Sequence, residues 1–353
     1  MNADRERAVR AAFAAQAEWC RKLGSPFTAR LCETVGQRLD HATRIGRRVL
    51  DWPGEPDALH DSVPLRLAGG LHALVRRGRL PDLAALYPPH DVPDADDLWP
   101  ALHAAIADAE ADLLPWLDLP PQTNEVARSA VLMAGLAVVA DETGLPLSLH
   151  EVGASAGLNL LLDRYGHTLG TRVYGDPTSG LVLEPDWEGD DPPDSTPNVA
   201  HRRGVDTNPL DVTDAADRER LLAYIWPDQV ERLERLKAAL AIAQDDPPSL
   251  DQDDAADWLE SEFERSPVRG ECRVLFHSIA FQYFPPDTQA RITAWIEAAG
   301  AAAERDAPVA WLRYEHDQEE GGRPTLRLRL WPDGLDRVLA NPDAHGRRVK
   351  WLG

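Results

Sequence analysis

Lysine is almost missing from this chain. Of 37 basic residues only positions 22, 237 and 350 are Lys, and the rest are Arg. That reads as a compositional habit of the coding genome, not a function. Cysteine is scarce too, with Cys20, Cys32 and Cys272 alone. No two are close enough for a C-x-x-C metal or redox pair, and the odd, scattered set suits a reducing cytosol. Positive charge is short: 59 acidic residues stand against 37 basic ones, for a net charge of −22. So negative a surface repels phosphate backbones and anionic lipid, so a small-molecule substrate is expected and nucleic acid or membrane is not. The longest apolar run, Ala130 to Ala140, is too short to cross a bilayer. The start, "MNADRERAVR", has no signal-peptide core. There is no H-E-x-x-H, no paired Cys and no solenoid repeat, so no metal site is assigned. A cytoplasmic globular protein is the expectation, with 43% hydrophobic and 27% charged residues.

Helical spacing dominates the first third. Val9, Phe13 and Ala17 recur every four residues, as do Leu31, Val35 and Leu39. "QTNEVARSAVLMAGLAVVADETG" predicts a further helix, capped by Thr123 or Asn124 and ended by Gly144. No clear strand precedes residue 145. The pattern then changes to strand, turn and helix in "LSLHEVGASAGLNLLLDRYG", where Leu158, Leu161, Leu162 and Tyr165 predict an amphipathic helix. Residues 167–200 are irregular, with a small hairpin in "TRVYGDPTSGLVLEP" and a loop in "DWEGDDPPDSTPN". Strands follow in "RRGVDTNPLDV", "PPSLDQ", "CRVLFHSIAF", "PVAWLRYE" and "TLRLRLWPDG", with "RRVKWL" as an edge strand. Strands alternating with helices imply a mostly parallel sheet covered on both faces.

The segment Gly153-Ala-Ser-Ala-Gly157 has two meanings. As G-x-S-x-G it is a nucleophile elbow with Ser155 as the nucleophile. That reading needs earlier sheet and an oxyanion loop, and "AGGLH" at 68–72 lies in a helical run. As E-x-G-x-S-x-G it is a turn whose small residues let a ligand approach the backbone. Glu151 at the strand end can then meet a cationic or amine group. A dinucleotide fingerprint would want another Gly at Leu158 or Leu160, so a smaller adenosyl ligand fits better.

The segments "QTNEVARSA", "EVGASAGLNLLLDRYG", "GVDTNPLDV" and "LFHS" resemble the bacterial family called domain of unknown function 2332, over most of the chain. From about residue 120 onward the chain more distantly resembles class I S-adenosylmethionine-dependent methyltransferases. Their E-x-G-x-G-x-G turn matches Glu151, Gly153, Ser155 and Gly157, with Ser in place of the middle Gly. Their G-[IV]-D-x-x-P strand end matches Gly204, Val205, Asp206 and Pro209. The resemblance implies that Asp206 bonds the ribose hydroxyls, that Asp254 (beside Asp253) faces the adenine amine, and that Asn124, Glu125 and Asn159 border the cofactor. It also implies that His277 and Ser278 contact substrate and that the closing "TLRLRLWPDG" to "RRVKWL" hairpin forms the last two strands. Glu315 and His316 end another strand at the same edge. The span from Gly153 to Asp206 exceeds the roughly 20 residues usual in dinucleotide folds. Residues 167–200 are therefore an insertion, or Asp176 in "VYGDP" is the ribose acid instead.

The expected architecture is an α/β protein. A Rossmann-like methyltransferase-type sheet, mostly parallel with an antiparallel last strand, spans 121–353, and a helical N-terminal module spans 1–120 and roofs the crevice. The expected activity is methyl transfer from S-adenosylmethionine to a small-molecule O or N atom, with His277 as general base and Ser278 and Glu315 beside it. A serine hydrolase using Ser155 and a non-catalytic ligand-binding protein are the alternatives. Duller roles stand beside each assignment: Asp206 and Asp254 as caps, His277, Trp295 and Trp311 as core, and the glycines as turn formers.

Overall fold

The computed structural model describes residues 2–263 and 267–353. Two compact units divide the chain: Met1–Thr123 with Ala215–Glu234, and Asn124–Asp214 with Arg235–Gly353.

The first unit is helical, built on Asn2–Lys22, Pro26–Arg38, Arg44–Leu50, Val63–Arg76, Ala95–Asp108, Glu110–Asp118 and Ala215–Ala223, with one short turn at Pro81–Ala84. The four-residue spacing does its work: Val9, Phe13, Ala17, Leu31, Val35 and Leu39 are buried in one apolar cluster. Residues 215–234, which the sequence pattern groups with the later sheet, pack into this unit. Asp228 accepts the Phe27 amide at 2.8 Å and the Ser25 hydroxyl. Glu219 pairs with Arg76 at 2.7 Å, and the Ala223 carbonyl lies 3.0 Å from His72 Nδ1. Burial pushes His72 down to about 4, so it is neutral at physiological pH.

The second unit is α/β. In chain order its strands are β1 (Leu147–Val152), β2 (Gly166–Leu169), β3 (Arg172–Gly175), β4 (Val182–Leu183), β5 (Asp186–Glu188), β6 (Val199–Asp206), β7 (Leu250–Gln252), β8 (Cys272–Ser278), β9 (Val309–Asp317), β10 (Arg323–Trp331), β11 (Leu335–Pro342) and β12 (Arg348–Trp351). Among the described residues nine of them form one sheet, in the order β5-β12-β11-β10-β9-β8-β1-β6-β7. β9, β8, β1, β6 and β7 are mutually parallel. β10, β11 and β12 then alternate in direction, and β5 runs parallel to β12. β1 and β8 are sandwiched between layers, so nearly every residue of "LSLHEV" and "CRVLFHS" is buried and the runs are apolar instead of alternating. The Arg128–Thr143 helix is buried continuously from Ser129 to Ala140, which explains its apolar circumference.

Several local expectations are corrected. Leu158–Arg164 is a 3-10 helix, not an α-helix. The Arg128–Thr143 helix has Ala127 at its N-cap, so neither Thr123 nor Asn124 caps it, whereas Gly144 does end it, at φ +64°. The hairpin expected in "TRVYGDPTSGLVLEP" does not form, since β2 stands between its two strands, antiparallel to β3 and parallel to β4. The loop "DWEGDDPPDSTPN" contributes β5 to the main sheet. "RRVKWL" is not an edge strand, because β5 covers it. β11 stands between the two strands read as a closing hairpin. Its "LDRVLANP" carries Asp, Arg and Asn and shows no clean alternation.

Candidate functional site

The parallel strands all end at one edge of the sheet, and their carboxyl ends carry Glu151, Asp206, His277, Ser278 and Glu315. Strand order reverses between β1 and β8: the chain goes from β1 to β6 and β7 on one side, then to β8 and β9 on the other. In open α/β sheets that reversal point is where ligands bind.

The turn after β1 is sharp. Gly153 and Gly157 have φ of +69° and +70°, and Ser155 between them has φ +56°. The two glycines relieve the left-handed backbone at no steric cost, but Ser155 does not. A Cβ on Gly153 would sit 2.7 Å from the Ala280 Cβ, and one on Gly157 would sit 2.8 Å from Pro248 Cγ. The room left by these missing side chains is therefore filled by protein, a correction to the reading that small residues clear a space for ligand on that side. The Ser155 amide donates to Asp206 Oδ2 at 2.8 Å, and Asp206 Oδ1 accepts the Asn208 amide at 2.9 Å. The carboxylate thus links the ends of β6 and β1 across the insertion. Ser155 Oγ is buried and has no hydrogen-bond partner among the described residues.

Beneath the turn lies a buried polar chain. Glu151 is 2% exposed. Burial pushes its carboxyl well above the usual range, opposed by its hydrogen bond to Asn159. Asn159 Oδ1 in turn accepts the Ser129 hydroxyl at 2.8 Å. Glu151 Oε2 is buried without a partner among the described residues. Asn124 Oδ1 accepts the Leu158 amide at 2.9 Å, so it braces the 3-10 helix. Glu125 accepts the Ala127 amide at 3.2 Å and lies 3.7 Å from Arg235.

On the other side of the reversal, His277 is buried between two partners. Its Nδ1 is 2.8 Å from Glu315 Oε1, and Trp311 Nε1–H donates to its Nε2 at 3.1 Å. An accepting Nε2 leaves the proton on Nδ1, donated to Glu315. Both ring nitrogens are engaged, so the ring holds Glu315 in place instead of standing free as a base. The same Oε1 also accepts the amides of Ala280 and Phe281, at 2.9 and 3.1 Å. Burial raises the Glu315 carboxyl, but the bond from His277 and these two amides outweigh it, and the net result lies below the usual range. Oε2 of Glu315 is buried and unpartnered among the described residues. Ile279, just past β8, sits at φ +49°, an outlier for a β-branched residue.

Glu151 with Asn159 is therefore one hydrogen-bonded pair, Ser155 with Asp206 a second, and His277 with Glu315 a third on the same edge. Asp254 is a helix N-cap: Oδ1 accepts the Ala256 amide at 2.8 Å, and Oδ2 lies 3.3 Å from the Thr288 hydroxyl. Asp176 is exposed in the turn after β3, where it accepts the Thr178 amide and hydroxyl. His316 bonds Gln282 at 2.9 Å. Sequence reasoning passed over Arg128. Its Nη1 donates to the Ser278 carbonyl at 2.8 Å and its Nε to the Ala344 carbonyl at 3.0 Å. The cue was present, since a cation in a helix's first turn opposes the helix dipole and needs a reason to be there. Trp311, read only as core, holds the proton position of His277. Glu55, Asp57 and His60 form an exposed cluster whose ligand atoms lie within 4.8 Å of one another. No helix among the described residues is long and apolar enough to cross a membrane.

No curated protein and no solved structure matches this chain. A family model does, over residues 10–351, so the chain belongs to the family described as an uncharacterized protein conserved in bacteria, DUF2332.

Proposed function

We propose that this chain is an S-adenosylmethionine-dependent methyltransferase acting on an O or N atom of a small molecule. The observation that carries the reading is the bond from the Ser155 amide to Asp206 at 2.8 Å. It sets the strand-end acid against the turn after the first strand, beside the reversal point. Numbered by appearance, the five parallel strands run 3-2-1-4-5, the order of doubly wound nucleotide-binding sheets. The same bond favours Asp206 over Asp176 as the ribose acid. Asp206 is half-buried, so its oxygens remain reachable by a diol.

The residues also suit the ligand's charge. Its ammonium group is a cationic N–H donor, and buried oxygens without a partner among the described residues stand at this edge on Glu151, Ser155 and Glu315. An unmet buried acceptor costs about 1–3 kcal/mol, which a bound donor would relieve. When bound, the cofactor supplies a methyl group already activated on sulfur. The chain's residues then have only to hold and align the acceptor, and positioning of this kind accounts for several kcal/mol of barrier. Because both nitrogens of His277 are engaged, His277 acts by orienting Glu315.

A hydrolase reading has one observation in its favour, the positive φ of Ser155 in a strand-to-helix turn. It lacks a base: Ser155 Oγ bonds no histidine among the described residues, and His277 is committed elsewhere. A thermal-shift titration with S-adenosylhomocysteine tests the proposal. At a hundred times its dissociation constant a true ligand adds about 2.7 kcal/mol of apparent stability. No shift at millimolar concentration would remove the methyl-donor reading.

A further inference from the structure

Glu315 is built in a way that its role as a strand-end residue does not require. All three of its hydrogen bonds fall on one oxygen, Oε1, from His277, Ala280 and Phe281. The other oxygen, Oε2, is withdrawn from water and has no partner among the described residues. Each carboxylate oxygen carries two lone pairs, so Oε2 keeps its whole capacity to accept. Here one oxygen is fixed from three directions and the second is held in reserve. His277 is itself fixed by Trp311, so the carboxylate plane has little freedom to turn.

The segment that folds onto Oε1 is aromatic and partly open. Phe281 stacks on His277 with ring centroids 4.8 Å apart, Phe284 lies 5.7 Å from Phe281, and Tyr283 is 58% exposed. The Phe281–Tyr283 turn is a single 3-10 turn without a side-chain cap. A rigid carboxylate oxygen beside aromatic side chains is a setting for a cation carrying an N–H, because the charge pairs with the carboxylate and the body packs on the rings.

We infer that Glu315 Oε2 binds the N–H of a protonated amine on an aromatic or apolar small molecule, with Phe281 and Phe284 as the apolar wall. As an amine site, it stands by itself; as the identity of the methyl acceptor, it rests on the methyl-transfer reading, and the bound ammonium would then have to pass one N–H proton to Glu315 Oε2 to free the lone pair that takes the methyl group. Oε2 is closed to solvent, so entry of the amine needs a local opening beside it while the Ala280 and Phe281 amides keep hold of Oε1. A neutral alcohol of the same shape lacks the charge and gains little.

The test uses the full-length protein and a matched pair of probes, phenethylamine and 2-phenylethanol, titrated by calorimetry near neutral pH. The amine is expected to bind roughly ten- to a hundredfold tighter than the alcohol, the range of a charged hydrogen bond. Glu315→Gln is expected to bring the two probes level. Equal binding of both probes by the wild-type chain, or binding of neither, overturns the inference even if Glu315→Gln does not fold. Undiminished amine selectivity in a folded Glu315→Gln overturns it as well. S-adenosylhomocysteine is titrated alongside. Its failure to bind, with amine selectivity intact, removes the methyl-donor reading and leaves the amine site standing.

Discussion

Gly153→Ala puts a methyl group where two turns meet. The backbone there has φ +69°, and an added Cβ would lie 2.7 Å from the Ala280 Cβ and 3.3 Å from Phe284 Cζ. Two costs arise. A non-glycine residue in the left-handed region costs about 1–2 kcal/mol. Forcing a methyl against a second Cβ that cannot rotate away costs about 1–3 kcal/mol more, whereas the Phe284 ring can shift. Ala280→Gly in the same chain removes the opposing methyl and should return the second cost but not the first. Alone, Ala280→Gly should cost about 0.5–1 kcal/mol through backbone freedom. The double-mutant cycle should therefore show a favourable coupling of about 1–3 kcal/mol. Thermal unfolding followed by circular dichroism reads it, at roughly 2–4 °C per kcal/mol for a unit of this size. Strictly additive losses would mean that the turns after β1 and β8 do not touch as described, and the reversal-point geometry would fall with them.

Glu151 and Glu315 should give opposite pH signatures. Glu151 holds its proton more tightly folded than unfolded, so its contribution is complete below the ordinary carboxyl value of 4.5 and is lost as pH rises toward its raised folded value. Glu151→Gln should match the wild type in acid and exceed it near neutrality, as read by urea midpoints across pH. Glu315 is lowered, so its contribution is present above 4.5 and lost as pH falls through the folded value. Glu315→Gln should cost most near neutrality, and parallel pH profiles for the two variants would contradict both assignments. Ser155→Ala removes a buried hydroxyl that bonds nothing among the described residues, so stability should change by no more than about 1 kcal/mol. A fluorophosphonate probe should not label the wild-type chain; labelling lost in Ser155→Ala would restore the hydrolase reading. Trp311→Phe removes the indole N–H that donates to Nε2 of His277 and should move that nitrogen's NMR signal, whereas an unchanged spectrum would deny the Trp311 bond.

Much of this architecture could be read from spacing and apolar runs. Period-four positions such as Val9 and Phe13 have one way to be buried, and runs such as Leu275 and Phe276 in "CRVLFHS" suit a strand covered on both faces. Less legible were elements whose partners lie far along the chain. β5 has three residues, and β11 is a polar mixture; both exist because a neighbouring strand offers free backbone groups, which local sequence does not record. The first amide of the Leu158–Arg164 helix is met by Asn124, a contact 34 residues away. At the candidate site the acids could be named because each closes an apolar run. Their roles could not, since Asp206 and Asp254 look alike in sequence and differ by what accepts and donates around them: the first reaches the turn amide of Ser155, the second caps its own helix. The bond from Trp311 to His277 joins neighbouring strands, so only pairing reveals that His277 is occupied.

Whether an adenosyl ligand sits on the Asp206 side of the β1 turn is read most directly by calorimetric titration of S-adenosylhomocysteine into the wild-type chain, Asp206→Ala and Asp176→Ala, each first shown to be folded. Saturable binding to the wild type is expected, weakened roughly tenfold or more in Asp206→Ala by loss of charged hydrogen bonds and unchanged in Asp176→Ala. No heat of binding to the wild type, or equal affinity for Asp206→Ala, would contradict it.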